Sequence, residues 1–362
     1  MISGTHKPRP LRVAHLPTNI ASLPIHTARS QREVGIDARV FEFGYEKSPF
    51  IDYEGVEWIQ LPANYRTLPG VHVIARYARI IAWADVVHWY SASRLLPREL
   101  DFRIPRMLDR PRIVEWMGSD IRRPSVELAD NPVFARAVSD PILADMWSDE
   151  RSSEFQRQFH EAGFVPACAT GMVQYVRDEY RGDLCVVDRA LPIMDYEPSY
   201  PRADQSTPPL VVHAPSRLVS KGTPAVLGAI ERLQGQLRFD VDLVHGVPRA
   251  EAVRRMQRCD IFIDQLIVGD FGMAALEAMA LGKPVIAYVK RTLRERYPAD
   301  LPVVDATPES LESVLRSLLA DPAKRAELGA LGRRFVERHA DARARVERLN
   351  QIYEAARMHV HE

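Results

Sequence analysis

The chain has 362 residues, more than one hydrophobic core normally organises, so about two domains are expected. At 46% apolar and 27% charged residues it is neither disordered nor of low complexity. Lys plus Arg and Asp plus Glu both number 48, and the zero formal charge provides no net field to draw nucleic acid or an anionic membrane.

Short apolar runs alternate with amphipathic stretches, the pattern of an α/β protein with parallel sheets. In the first half, strands are predicted at 11–16, 38–43, 56–61, 85–90, 112–116 and 164–169. Helices at 25–34, 71–83 and 149–161 lie between them, the first ended by Gly35 and the last by Gly163. Residues 118–149 are polar, contain prolines and are too long for a plain connection. They are expected to form a surface loop with short helices, facing an acceptor. Residues 195–209, DYEPSYPRADQSTPP, lack periodicity and read as a semi-rigid linker.

Beyond the linker the alternation restarts, with strands at 210–214, 239–245, 260–264 and 284–288. Helices are expected at 223–233, 249–258 and 272–281, followed by three more from about 308 to the C-terminus. The resulting division is a first Rossmann-like domain over 1–195, a linker over 196–209, a second over 210–340 and a terminal helix over 341–362. Two such sheets facing each other share one site beyond the carboxyl ends of their strands.

Residues 1–10 lack the apolar stretch of a secretory signal, and no run approaches the ~18 apolar residues of a membrane span. Cys168, Cys185 and Cys259 are scattered and read as reduced core residues. The expected location is the cytoplasm. No oligomeric state is implied.

The segment 269–287, GDFGMAALEAMALGKPVIA, carries the strongest chemical signal. Asp270 is expected to cap a helix starting near Phe271, and Gly272 lets a ligand approach the backbone. The amides along Gly269–Met273 could then seat a diphosphate. Glu277 has only apolar helical neighbours, Met273, Ala274, Ala280 and Leu281, so its carboxylate is expected on the buried face, within reach of a ribose diol. The alternative is a buried Glu tied to a structural arginine or a backbone amide. In PSRLVSKGT (215–223), Arg217 and Lys221 flank a strand-to-helix turn and could neutralise the same diphosphate, or be merely solvated.

Together, PSRLVSKGT, CDIFIDQ (259–265) and GDFGMAALEAMALGKPVIAY (269–288) resemble the C-terminal half of retaining glycosyltransferases of the GT-B fold, the glycosyl transferases group 1 type. The resemblance spans about 205–345. It is looser in the first half, at DVVHWY (85–90) and Gly118–Asp120. It implies a GT-B fold, a nucleotide-diphosphate sugar as donor, Arg217 and Lys221 on its diphosphate and Glu277 on its ribose. It also implies a terminal helix that crosses back onto the first domain, which holds the acceptor.

Three departures stand against it. Gly269 occupies the place of the family's first motif Glu, with Asp270 one residue away as a substitute. Arg217 and Lys221 are one residue closer together than usual. Met117 stands where a His often precedes Gly-x-Asp.

On the acceptor side the candidates are His88, Asp120 and Asn19. The respective structural alternatives are a satisfied core histidine, a turn cap and a structural asparagine. No metal-ligand cluster is apparent and no cofactor is expected beyond the donor substrate. The expected activity is retaining, metal-independent transfer to a small-molecule or glycan hydroxyl, with no nucleic-acid partner. Membrane association is not indicated. The alternatives are a non-catalytic GT-B partner of another glycosyltransferase, or a GT-B sugar-nucleotide epimerase.

Overall fold

Runs such as RVAHL and VVHWY are apolar on both faces, which suits strands covered by helices on either side. The computed structural model describes residues 9–47, 53–62, 70–202 and 207–359. Part of the linker reading, 203–206, lies outside them, as do residues 1–8. The first sheet contains β1 (Arg12–Leu16), β2 (Asp37–Gly44), β3 (Val56–Gln60), β4 (Val86–Tyr90), β5 (Arg112–Trp116), β6 (Val165–Cys168) and β7 (Cys185–Val186). Its order is β3-β2-β1-β4-β5-β6-β7, and every pairing is parallel. The second sheet contains β8 (Leu210–His213), β9 (Asp240–Leu243), β10 (Ile261–Ile263), β11 (Val285–Ala287) and β12 (Val304–Asp305), in the parallel order β12-β11-β10-β8-β9. The two-residue strands β7 and β12 are too short to show a period, and the sequence reading passes over them.

Around the first sheet lie α1 (Leu23–Glu33), α2 (Val71–Trp83), α3 (Leu100–Met107), α4 (Pro124–Asp130), α5 (Pro132–Ala137), α6 (Pro141–Ala144) and α7 (Asp149–Glu161). The second carries α8 (Leu218–Lys221), α9 (Thr223–Gln234), α10 (Arg249–Gln257), α11 (Met273–Ala280), α12 (Arg291–Arg294), α13 (Leu311–Ala320) and α14 (Pro322–His339). The last helix, α15 (Ala342–His359), packs on the first sheet: Leu349, Ile352, Tyr353 and Ala356 share one core with Val13, Val86 and Ile113. It is pinned by a buried polar network. Arg345 pairs with Glu115 of β5 at 2.5 Å and donates to Asp188 O at 2.8 Å, while the Tyr353 hydroxyl meets His88 Nδ1 at 2.7 Å.

In the second unit α11 is the central helix. Ala275, Leu276, Ala278, Met279 and Ala280 are almost wholly buried, and Leu276 alone contributes about 2 kcal/mol of apolar burial. Helix α14 lies close against its C-terminal end. A Cβ on Gly329 would stand 2.1 Å from Gly282 O, so only glycine permits this approach.

The stretch 118–149 contains the short helices expected of it but does not lie wholly at the surface. It folds into α4, α5 and α6, and Val133, Phe134, Leu143 and Trp147 form a dry core with Ile267, Val268 and Tyr288 of the second unit. Its apolar residues, interspersed among prolines and charges, serve the contact between the units. No helix among the described residues is long and apolar enough to cross a membrane.

Candidate functional site

Open α/β sheets hold ligands beyond the carboxyl ends of their strands, where neighbouring crossovers diverge. In the second sheet that point lies between β8 and β10. The turn after β8 leads to Arg217 and Lys221, and the turn after β10 runs from Asp264 into α11. Arg217 is the N-cap residue of α8. Its side chain is exposed and, among the described residues, makes no hydrogen bond or ion pair.

Lys221 Nζ lies 3.1 Å from Asp264 Oδ1 and 2.9 Å from Gln265 Oε1. Asp264 is buried, and its Oδ2 accepts the Gly272 N–H at 2.6 Å. Helix α11 starts at Met273 with Gly272 as N-cap, so Asp264 satisfies the amide that Asp270 was expected to serve. Asp270 turns away. Its Oδ1 accepts the Phe271 N–H at 2.8 Å and the Tyr297 hydroxyl at 2.7 Å, and its Oδ2 accepts from Arg189 at 2.9 Å. Asp270 is therefore consumed in joining the two units. Burial opposes the Arg189 charge, but Asp270, Tyr297 and Asp188 together outweigh it and hold the guanidinium above its ordinary value.

This corrects the reading of the anion cradle. The amides of Phe271 and Gly272 are each held by a carboxylate. The amides without an acceptor four residues back inside the helix are those of Met273, Ala274 and Ala275, in its first turn.

Glu277 is buried, as its apolar neighbours imply, and it has a cation partner. Oε1 accepts from Arg249 Nη2 at 2.5 Å, from Arg249 Nε at 3.0 Å and from the Tyr196 hydroxyl at 3.1 Å. The arginine alternative of the sequence reading is thus present. All three bonds go to one oxygen, however. Oε2 is not among the buried side-chain atoms that lack a hydrogen-bond partner. Burial, then the adjacent Glu277, pushes the Tyr196 hydroxyl well up, so it stays a donor to the carboxylate.

Gly269 has φ +69°, a left-handed conformation that disfavours any side chain. A Cβ there would lie 3.1 Å from Asn131 Nδ2 and 3.2 Å from Lys290. The space for a carboxylate is filled by the first unit: Asn131 donates to Ile267 O at 2.8 Å and to Glu127 at 2.7 Å. Buried Lys290 lies 3.1 Å from Asp130 and 3.5 Å from Glu127.

The acceptor-side candidates are buried. His88 is fully buried in mid-strand, stacked on Tyr90, with Tyr353 on Nδ1 and Glu115 3.2 Å from Nε2. Both carboxylate oxygens of Asp120 are bound to the turn amides of Met117, Gly118 and Ile121. Asn19 is buried, and its Oδ1 accepts the Ile25 N–H at 3.2 Å in the first turn of α1. Asp120 and Asn19 are bound to nearby backbone amides, whereas His88 is enclosed by Tyr353 of α15 and Glu115 of β5.

Arg189, Tyr196, Arg249, Asp264 and Lys290 were not singled out from the sequence. Asp264 and Lys290 had a signal, since each is a charge ending an otherwise apolar strand run, IFID and PVIAYVK. Arg249 had none. Among the described residues, no three His, Cys, Asp or Glu side chains gather as a metal-ligand set.

Residues 230–335, from within α9 to within α14, match the family model described as glycosyl transferases group 1. That stretch is similar to the glycosyl transferases group 1 family. It includes Arg249, Asp264 and Glu277, whereas Arg217 and Lys221 precede it. No curated protein sequence matches the chain.

Solved structures of similar shape have the GT-B fold, which this chain shares. Sucrose-phosphate synthase from Thermosynechococcus elongatus is 15% identical with TM-score 0.65, over 95% of this chain and 98% of that one. A glycosyltransferase from Rickettsia africae is 12% identical with TM-score 0.68, over 97% and 99%. HepE of Anabaena, solved with UDP and glucose, is 15% identical with TM-score 0.58, over 95% and 99%. The stretch similar to the group 1 family thus sits in a chain that aligns with GT-B structures over 95–97% of its length.

Proposed function

We propose that this protein transfers a sugar from a nucleoside-diphosphate sugar to a hydroxyl acceptor, with retention and without a metal ion. The observation that carries the reading is the cluster at the second sheet's switch point. Two cations, Arg217 and Lys221, and the first turn of α11 lie there, in or beside the stretch similar to the glycosyl transferases group 1 family. Arg217 is free to approach a diphosphate, and Lys221 can exchange Asp264 for a phosphate oxygen. The Met273 and Ala274 amides add the positive end of the helix dipole. Oε2 of Glu277, oriented by Arg249 and Tyr196, is the acceptor for a ribose hydroxyl.

In the reaction the bond from the anomeric carbon to the diphosphate oxygen breaks and the acceptor oxygen bonds to that carbon on the same face. A donor phosphate oxygen takes the acceptor's proton. Arg217 and Lys221 stabilise the charge that builds on the leaving diphosphate. The metal-independent reading rests on these two cations. With Gly269 in place of the first motif Glu, donor-sugar recognition falls to other groups.

Incubation of the protein with a panel of nucleotide sugars and hydroxyl acceptors, followed by mass spectrometry, tests the proposal. A product heavier than the acceptor by one glycosyl unit is expected, and Lys221→Ala should slow its formation ~10–100-fold. A donor converted to its epimer with no acceptor present, or no product with any donor, would refute transfer. A second reading, a non-catalytic GT-B partner, is favoured by one observation: Asp264 already neutralises Lys221 and occupies the Gly272 amide. That reading predicts no nucleotide binding.

A further inference from the structure

A cavity of about 660 Å³ opens at the amino ends of β5, β6 and β7, the opposite end of the first sheet from its ligand-facing loops. Arg106 reaches it from the last turn of α3, Arg110 and Arg112 from the turn into β5, and Arg348 from α15. Its floor is apolar, from Pro111, Phe164, Ile352 and Ala356.

Among the described residues none of these four arginines has a carboxylate within ion-pair distance, although Asp109 and Asp183 lie along the rim. Arg112 is fixed by backbone carbonyls instead, Nε to Ala162 O at 2.8 Å and Nη1 to Arg110 O at 2.9 Å. Arg110 donates to Ala82 O at 3.1 Å, and its Nε is buried with no hydrogen-bond partner. Burial, and then the charge of Arg106, pushes the Arg112 guanidinium below its ordinary value. Arg345, by contrast, is matched by Glu115. Four unmatched guanidiniums over an apolar floor form a charge cluster that an incoming anion would relieve.

We infer that this cavity is a binding site for a phosphate-bearing ligand, separate from the nucleotide-sugar site. Guanidinium forks suit phosphate oxygens, and the floor accommodates an apolar portion beside them. The phosphate could be free in solution or carried on a lipid, and exposed Met107 and Leu108 follow Arg106 directly in the chain.

The test uses the full chain with inorganic tripolyphosphate in calorimetry, and vesicles containing phosphatidylglycerol or only phosphatidylcholine in flotation. Lys221→Ala accompanies wild type, to separate this site from the diphosphate site. Arg106 and Arg348 are exposed, so Arg106→Gln with Arg348→Gln should leave the thermal midpoint unchanged. The double variant should bind at least about ten-fold more weakly, while Lys221→Ala retains this binding event. Arg112→Lys, which keeps the charge but loses the fork, should fall between. Binding of tripolyphosphate identifies a soluble source, and binding confined to phosphatidylglycerol vesicles identifies a lipid one. The inference is overturned if wild type binds neither probe, if the double variant binds as wild type does, or if Lys221→Ala abolishes all binding.

Discussion

Lys221 and Asp264 face each other at 3.1 Å across the start of α11, and the same carboxylate holds the Gly272 amide at 2.6 Å. The ammonium that is to meet a diphosphate is therefore prepositioned by an internal anion. A ligand must take the lysine from Asp264 and tolerate the negative charge that remains. Asp264→Asn keeps an oxygen for the amide and removes that charge. It should tighten nucleoside-diphosphate binding several-fold, about 1 kcal/mol at the effective dielectric of a partly buried site. Competition titration against wild type reads this, and a weaker complex would mean that Asp264 chiefly orients the lysine.

Arg249 and Glu277 act as one unit if Oε1 is the anchored oxygen and Oε2 the recognising one. Arg249→Met, Glu277→Gln and the double variant form a cycle, and a coupling of about 1–2 kcal/mol in thermal stability is expected. Both single variants should also raise the donor KM. A cycle that is additive, with KM unmoved, would place the pair outside the site.

Gly269 is left-handed, with Asn131 and Lys290 packed against it. Gly269→Glu does not restore a motif here. It costs about 1–2 kcal/mol in backbone conformation alone, and Asn131 must move as well. The thermal midpoint should fall by at least ~2–4 °C, and donor use should not improve. A neutral substitution would mean that the contact between the units is looser than described.

Stability should decline on mild acidification. Burial holds the His15 imidazole well below its ordinary pKa, with His88 adding to the effect, and burial also lowers His88 and His213. Between those lowered values and ~6.5 the unfolded chain binds protons that the folded chain refuses, so stability rises with pH across that window and is lost below it. Glu115 adds a second loss at lower pH. Burial would raise its carboxyl, but Arg345 and His88 outweigh that and hold it below the usual range, so its contribution vanishes as pH falls through the lowered value. Thermal midpoints at pH 7.5 and 5.5 should differ clearly in wild type and less in His15→Gln. Equal slopes would contradict the assignment.

Strands and helices with a full period were legible. Runs such as RIVEW and VVHWY and the buried face of α11 appear where alternation places them. Glu277 was legible as a buried carboxylate because all its helical neighbours are apolar. What was not legible depends on contacts distant in sequence. Asp264 holds the Gly272 amide at the start of α11, and Asp270 pairs with Arg189, 81 residues away. Residues 118–149 look like a polar loop because their apolar side chains match no period, yet four of them seal the contact with Ile267, Val268 and Tyr288. His88 looked like a site residue at a strand end, but α15 returns to cover it.

Calorimetric titration of wild type and Lys221→Ala with UDP, GDP, ADP and TDP addresses the central claim most directly. The account predicts that wild type binds at least one of the four and that the lysine variant binds it at least about ten-fold more weakly. Absence of binding by all four to folded wild-type protein would contradict it.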